Sequence, residues 1–582
     1  MGYLNSILDI NLSTGKISKF EIGEELKKNF LGGKGIAVKL LYDGLTPHTD
    51  ALSEKNILIF MTGPLTGTMA PSSGKFCCVS KSPLTGTIFD SHCGGYFGYE
   101  LKKAGYDGIV IRGKSGSKVF LSIEDGEAEL LDAQEIWGKD TRETEAWANK
   151  KLGKKCRILS IGKAGENLVR FASIIHEGHR ALGRGGLGAV MGSKNLKAIA
   201  VRGEGKIPIY DAQKFREAAR NCHELLAKHP STAKKLKEYG TPNIVNTVNA
   251  VGLLPTRNFQ TGFFEDAEKI SGEEMHRFVK GSYACFSCSI RCGKKVDIDG
   301  VKTESLEYET IYAFGANCGN SSLSSIARAN ELCNALGLDT ISTGATIAFF
   351  IELAEKGFVS YDVRWGQDEK ILELIEKIAF RDGFGNELAE GVKKLSEKYG
   401  CAFAMHVKGL ELPGYDSRGA VGQSLAYATN NEGGSHMRAT VYIDEILTQR
   451  IDRFEKKGKA QIVKDAQDFH ASLDSLILCK FTSRALREEH YSQLLAHATG
   501  INFELLRVGE RIFNLERLFN VREGFTRRED TLPARFLKEK IPTGNSKGSM
   551  ADLDILDEYY ELREWDSEGK PEPQKLKALG LE

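Results

Sequence analysis

Over roughly the first 208 residues the apolar positions come in short blocks separated by polar, glycine-rich stretches. ILIFM (57–61), GIVIRG (108–113), KVFLSIEDGEAELL (118–131), CRILSIG (156–162) and AIAVRG (198–203) read as strands, being short, rich in β-branched residues and bounded by turn formers. Asp125-Gly126 inside the third block is a hairpin-turn dipeptide. Leu4, Ile7, Leu8 and Ile10 look like the start of another buried strand. PLTG occurs at 64–67 and again at 83–86, which suggests paired turns in one layer; a solenoid needs more repeats. From Tyr210 the period lengthens. DAQKFREAARNCHELLAKH and SSIARANELCNALG carry apolar residues at three- and four-residue spacing, the mark of amphipathic helices. The helical style continues to the end, broken near 405–420 by AMHVKGLELPGYDSRGA. The expected fold is α+β: a β-rich N-terminal domain (1–208) followed by two mainly α-helical domains (209–411 and 412–582).

Composition narrows the classes. The chain has 582 residues with 41% hydrophobic and 27% charged, ordinary for a globular protein of several domains. A net charge of +1 gives no field for nucleic acid or an acidic membrane. The longest apolar stretch, ATIAFFIELA, is too short to span a bilayer. Twelve cysteines in so long a chain are no disulfide framework, and MGYLNSILDINLSTGK shows no secretory pattern, so a reducing, cytoplasmic location is expected. There are 62 glycines against 13 prolines, and they gather in polar loops, as backbone that wraps a ligand closely requires.

CFSCSIRC places Cys285, Cys288 and Cys292 in C-x2-C-x3-C spacing. Three thiolates so placed can occupy three corners of one metal or cluster. Zinc sites commonly add a second cysteine pair nearby, and none follows. A [4Fe–4S] cluster needs a fourth cysteine, which distant sequence can supply; Cys318, Cys333, Cys401 and Cys479 are downstream candidates. Three buried structural cysteines are the bland alternative, but Ser287, Ser289, Arg291, Lys294 and Lys295 make a poor core segment.

Two further stretches suit a large anionic ligand. Gly183-Arg184-Gly185-Gly186-Leu187-Gly188 offers backbone N–H groups and a guanidinium, and Ser91-His92-Cys93-Gly94-Gly95 is a second glycine-lined loop. The first also spells G-x-G-x-x-G. A dinucleotide site requires that motif to follow a strand and open a helix, whereas here a strand, AIAVRG, comes after it, which argues against NAD. Glu307 and Glu309 share a face on a strand and diverge on a helix. Either carboxylate could instead start a helix or form a salt bridge. Lys75 could be merely solvated, and His436 could be an ordinary polar residue.

NALGLD ends one helix, with Gly337 suited to the C-terminal turn and Asp339 or Thr340 able to cap the next helix; DSLILC (474–479) has the same outline. With the cysteine spacing, these paired turns resemble the aldehyde:ferredoxin oxidoreductase family of tungsten enzymes. GPLTGTMAPSSGK, KSPLTGTIFDSHCGGYFGYELKKAGYDGIVIRG, GRGGLGAVMGSKNLKAIAVRG, LEYETIYAFGANCGN, KGLELPGYDSRG, NNEGGSHMRAT and NLERLFNVREGFTRREDTLPARF extend the likeness over essentially the whole chain. The family's D-x-x-G-L-(D/C) turns hold a tungsten bis-pyranopterin (tungstopterin).

The resemblance implies Cys285, Cys288, Cys292 and Cys479 as [4Fe–4S] ligands. It implies Asn334, Leu338, Asp339, Asp474 and Leu478 as pterin contacts, with Lys75, His92, Gly94, Gly95, Arg184, Gly185, Gly186 and Leu187 completing the cofactor site. Glu309 is then the catalytic base, and His436 donates a hydrogen bond to the substrate or metal oxygen; Tyr415 is a weaker candidate for orienting substrate. Four positions depart from the family pattern: Asn334 replaces Asp, Ile477 replaces Gly, Lys75 stands where Arg is frequent, and His92 stands where an Asn helps hold a Mg2+ that bridges the pterin phosphates. The implied reaction is oxidation of an aldehyde to a carboxylic acid with water as oxygen source. Electrons leave through the cluster to ferredoxin or a partner iron–sulfur subunit. The alternative is the catalytic subunit of a tungsten-dependent aryl-CoA reductase, of the benzoyl-CoA type. A homodimer or a hetero-oligomer stays open. No histidine lies between His276 and His406, which argues against the metal-bridged dimer of some relatives.

Overall fold

The computed structural model describes residues 2–153, 155–304 and 306–582. Twelve strands occupy the first 202 residues: β1 Ser6–Asn11, β2 Lys16–Glu21, β3 Leu58–Met61, β4 Phe76–Lys81, β5 Ile88–Cys93, β6 Gly108–Arg112, β7 Val119–Glu124, β8 Glu127–Asp132, β9 Arg157–Ser160, β10 Ile174–His176, β11 Arg180–Leu182 and β12 Leu196–Arg202. The five strand blocks read from sequence all fall on strands, and Asp125 (φ 44°) and Gly126 (φ 92°) turn the β7–β8 hairpin.

The strands form two six-stranded sheets, ordered β2-β1-β6-β3-β4-β5 and β8-β7-β12-β9-β10-β11. These are one topology used twice. In each, a hairpin opens the unit, its first strand pairs parallel with the sixth, and every other pairing is antiparallel. In each, the fifth strand lies at a sheet edge and leads through a pair of glycines into a seven-residue helix, Phe97–Lys103 or Leu187–Ser193. The two edges, β5 and β11, touch. The PLTG turns do not mark this duplication. They follow β3 and β4, which run antiparallel, so they sit at opposite ends of the first sheet.

Strand alternation sets the layers. Leu8, Ile10, Leu58, Phe60, Ile109 and Ile111 face the second sheet's Val119, Leu121, Ile123, Ile199 and Val201. Their neighbours Ile7, Ile59, Met61, Cys77, Val79 and Val110 face helix Gly33–Gly44 and helices Lys459–Leu476, Glu488–Thr499 and Leu505–Arg522. Phe120, Ile158, Ala198 and Ala200 meet helix Thr141–Lys151 on the outer side. Each such side chain contributes about 1.5–3 kcal/mol on burial.

Beyond Arg202 the described residues are mainly helical, as expected, apart from a two-stranded ribbon, His406–Val407 with Leu410–Glu411, and one larger sheet. A three-stranded antiparallel sheet, Val279–Tyr283, Gly293–Ile298 and Val301–Glu304, brackets the cysteine-rich loop. The largest apolar cluster runs from Ala164 to Ala551 and draws mainly on residues 245–446 and 532–551. No helix among the described residues is long and apolar enough to cross a membrane.

Candidate active site

The two helix-end turns have the same backbone. Helix Leu323–Leu336 ends at Gly337 (φ 75°, ψ 52°); Leu338 follows, and Asp339 (φ −68°, ψ 117°) caps the next helix. Helix Lys459–Leu476 ends at Ile477 (φ 61°, ψ 36°); Leu478 follows, and Cys479 (φ −68°, ψ 131°) opens the 3-10 turn Lys480–Arg484. The residue three before each left-handed position, Asn334 or Asp474, is buried and keeps one polar atom without a partner, Nδ2 or Oδ1. Leu338 and Leu478 are buried beside them. Asp339 is more committed: Oδ1 accepts from Ile341 N–H (3.0 Å), and Oδ2 from Ser342 Oγ (2.7 Å) and Arg184 Nε (3.2 Å).

Glu307 and Glu309 fall at the start of helix Tyr308–Phe314 and so diverge. Glu307 accepts from Thr241 Oγ1 at 2.5 Å, while Glu309 Oε2 accepts from Gly414 N–H at 2.9 Å. Glu309 Oε1 lies 3.6 Å from His436 Nε2. Burial pushes the Glu309 carboxyl up to about 7. Burial, with the charges of Arg184, Lys480 and Arg438, drives His436 down to about 3, so its imidazole is neutral. Glu309 Oε1 and His436 Nδ1 are both buried with no partner. Tyr415 packs 5.4 Å from the imidazole, and Tyr442 5.5 Å from it.

Arg184 ties these parts together. Besides Asp339, it donates to the carbonyls of Glu411 (2.7 Å) and Gly434 (3.1 Å), the latter in the His436 loop. The guanidinium expected to wait for phosphate therefore already has three protein acceptors. The glycines around it are packing glycines. A Cβ on Gly185 would enter the Phe89 ring of β5, and one on Gly186 would strike the Arg170 carbonyl. Leu187 is fully buried. The glycine motif sits differently from the sequence expectation. The motif does follow a strand, β11, and does open a helix. However, β11 is an antiparallel edge strand with no parallel partner, so the βαβ unit a dinucleotide needs is missing.

The cysteines of the 285–292 loop are gathered with Cys479, which acts electrostatically with Cys285 and Cys288, as Cys292 does with all three. Ser72 Oγ donates to Cys288 Sγ (3.2 Å), and Arg180 Nη1 to Cys285 Sγ (3.1 Å). Gly94 makes room here: a Cβ would lie 2.6 Å from Cys285 Sγ, while one on Gly95 would lie 2.7 Å from the His176 ring. Burial raises the thiols of Cys288, Cys292 and Cys479, the last to about 11, so each ionises only with a cation or metal to hold its charge. Lys75 is half-buried, its charge felt by both Cys479 and His92, between the thiols and the second turn. A cleft of about 970 Å³ opens beyond Glu177 and His179, but neither Glu309 nor His436 lines it.

His92 belongs to a buried ion network. Its Nε2 is 2.7 Å from Asp90 and 3.8 Å from Asp474. Arg438 binds Asp90 (2.9 Å), Glu432 (2.6 Å) and Asp474 (2.6 Å); Lys34 binds Asp90 (3.1 Å) and Glu516 (2.8 Å); Lys480 binds Asp474 (2.9 Å). Burial lowers His92 to about 4, so it is neutral. Asp90, His92 and Asp474 lie close enough to share a cation. Three basic side chains already neutralise these carboxylates, so the group does not fit Mg2+, which takes oxygen ligands and keeps water. The magnesium expected beside His92 has no side-chain site there.

A polar hetero group does fit between the turns. Asn334 Nδ2, Asp474 Oδ1, His92 Nδ1, Glu309 Oε1 and His436 Nδ1 are all buried and unpaired. Each such atom costs about 1–3 kcal/mol unless something else supplies its partner. The sequence reading missed Arg180, Ser72, Arg438, Lys34 and Lys480. Only Ser72, in GPLTGTMAPSSGK, and Arg438, in NNEGGSHMRAT, stood in quoted motifs, and contacts between distant segments leave no local pattern.

The model for the N-terminal domain of aldehyde ferredoxin oxidoreductase matches residues 7–203, and the model for domains 2 and 3 matches residues 217–581. The chain is 47% identical to the tungsten-containing aldehyde ferredoxin oxidoreductase of Pyrococcus furiosus, covering 100% of this chain and 99% of that one. It is 46% identical to the enzyme of the same description in Thermococcus kodakarensis, with the same coverage. Among solved structures, the active-site complex BamBC of benzoyl coenzyme A reductase, bound to 1,5-dienoyl-CoA, superposes with a TM-score of 0.87 at 24% identity. That match covers 100% of this chain and 97% of that chain, and it is a likeness of fold.

Proposed function

The chain belongs to the aldehyde ferredoxin oxidoreductase family, and from that premise we propose that it oxidises an aldehyde to the carboxylic acid, taking oxygen from water. The observation that carries this reading is the Glu309–His436 pair, whose buried atoms lack partners and whose loop Arg184 ties to the first turn. In this reading the turns, through Asn334, Leu338, Asp339, Asp474 and Leu478, hold the tungstopterin. Lys75, His92, the Gly94–Gly95 pair and the Arg184–Leu187 loop support it. Cys285, Cys288, Cys292 and Cys479 hold a [4Fe–4S] cluster, which passes electrons singly to ferredoxin. With the chain divided at 208 and 411, this reading draws the glycine loops from the first part, the first turn from the second and the second turn from the third.

Bound tungsten supplies the two-electron acceptor that no side chain can provide. The residues do the rest. Neutral His436, with its proton on Nδ1, donates to the carbonyl oxygen and orients the aldehyde. Glu309, near neutrality, takes the proton released as water adds to the carbonyl carbon. Tyr415 and Tyr442 keep bulk water off the imidazole. The aryl-CoA reductase alternative rests on likeness of fold alone.

Anaerobic purification with W, Mo, Fe, Zn and pterin measured per chain tests the cofactor set, and aldehyde-dependent viologen reduction tests the reaction. About one tungsten, two pterins and four irons are expected. Zinc alone, without pterin, overturns the reading.

A further inference from the structure

We propose that the electron acceptor docks on the face around the 285–292 loop, and that it is an acidic iron–sulfur protein of the ferredoxin kind gripped by the basic residues framing that loop. This rests on the aldehyde-oxidising reading.

Three observations carry it. First, the loop reaches solvent. Ser289 and Arg291 are exposed, and beside them stands Met69, an apolar side chain 58% exposed. The Met69 carbonyl lies 3.2 Å from His223 Nε2 and 3.4 Å from Ser287 Oγ. Second, the sulfurs lie directly behind this face. Cys288 and Cys292 pack with Leu226, Leu236, Ile290 and Phe481 in one small apolar cluster that separates thiol from water. Third, the charge is one-sided. Helix Ala212–Lys228, the segment Ser231–Tyr239, loop 285–292 and Arg484 carry nine Lys or Arg against three Glu, in a chain whose total is +1. Arg220 stands one turn from His223, which meets Ser289 at 3.3 Å, and Lys234, Lys235 and Lys237 flank the buried Leu236. The basic face therefore lies over the apolar cluster that covers Cys288 and Cys292. Its complement is an acidic surface bearing a one-electron centre.

The electron count agrees. An aldehyde and water give a carboxylate, three protons and two electrons. The pair leaves in two single transfers that reduce two ferredoxin clusters, so a partner with one cluster must bind, leave and be replaced within one turnover. Steering by charge supplies fast arrival without tight holding.

The test uses the purified holoenzyme and an acidic ferredoxin. Lys234→Glu/Lys235→Glu/Lys237→Glu and, separately, Arg220→Glu are compared with wild type at low and moderate salt. Ferredoxin kcat/KM is expected to fall about tenfold or more at low salt through KM, with viologen-coupled aldehyde oxidation not reduced. Added salt should lower the wild-type value towards the variants. Lys538→Glu/Lys540→Glu, exposed charges outside this face, should change neither rate. Both framing variants within twofold of wild type with ferredoxin, while viologen activity is intact, overturns the docking face. Absence of viologen activity in wild type overturns the functional reading instead.

Discussion

Replacing Glu309 by Gln tests the proposed base through stability as well as rate. Gln keeps the shape and can still accept from Gly414 N–H, but it cannot ionise. Burial raises the Glu309 carboxyl from 4.5 to about 7. Its pKa in the folded state lies above that in the unfolded chain, so folding favours the protonated form. The cost of ionising it is absent below the unfolded pKa, grows as pH rises between the two values, and is complete above about 7. About 2.5 units at 1.36 kcal/mol each makes that cost about 3 kcal/mol at pH 8.5, and about 1 kcal/mol at pH 5. With an unfolding entropy of about 2.1 cal/mol/K per residue, 1 kcal/mol moves Tm by about 1 °C in a chain this long. Glu309→Gln should therefore raise Tm by about 2–3 °C at pH 8.5 and by under about 1 °C at pH 5, measured by scanning calorimetry on proteins matched for cofactor content.

Activity should move the other way. Loss of a general base costs about 10²–10⁴ in kcat/KM. Wild-type kcat/KM should rise with pH through about 7 and then level off, because only the carboxylate accepts the proton, while the residual rate of the Gln variant should show no such rise. A variant keeping more than about a tenth of the rate would remove Glu309 from the base role. A Tm gain equal at the two pH values would refute the burial argument itself.

Three other outcomes follow from particular contacts. Cys479→Ser should lower bound iron and abolish the signal of the reduced cluster in electron paramagnetic resonance, with the fold retained by circular dichroism. Arg180→Leu removes a cation and an N–H donor from Cys285 Sγ, so the cluster's midpoint potential should become more negative in a redox titration. Gly337→Ala puts a Cβ at φ 75° and 2.8 Å from Gly162 N, which should cost about 1–2 kcal/mol from the left-handed backbone alone and lower Tm by at least about 1 °C.

Local pattern revealed what local physics determines. The β7–β8 hairpin was legible because Asp-Gly tolerates two positive φ angles, and helix Ala212–Lys228 because one apolar stripe faces the core. FCCVSK and IFDSHC were not read as strands. β4 is buried along its whole length and β5 nearly so, and a strand covered on both faces loses the alternation that betrays it. Helix Gly33–Gly44 begins in glycines and is buried on most sides, so it shows little amphipathic signal. The sheet duplication is hard to see for a related reason: beyond the glycine pair before each helix, the two units share pairing order and no residue pattern. Within the site, spacing exposed the cysteine triad, whereas Cys479, Glu309 and His436 needed the family likeness. Their setting, Arg184 and the Arg438 network, depends on contacts between segments hundreds of residues apart.

The two turns show how one backbone can carry two chemistries. Both need a residue in the left-handed region, and Gly337 enters it without strain. Ile477 does not; a side chain there costs about 1–2 kcal/mol. Packing offsets this, because Ile477 is buried and its side chain fills the space that a Cβ on Gly33 would need. The glycine missing from the second turn is thus matched by a glycine across the contact, on helix Gly33–Gly44 beneath the first sheet. After the left-handed residue comes a buried leucine in both turns, and then the paths part. Asp339 spends its oxygens on a helix cap and on Arg184, closing the turn into the helical body. Cys479 has no such cap to make and lies with the thiols of the 285–292 loop. A duplicated cradle therefore ends on one side in a structural anchor and on the other in the residue that leads towards the surface. In the proposed reading, that asymmetry would give electrons a single direction in which to leave.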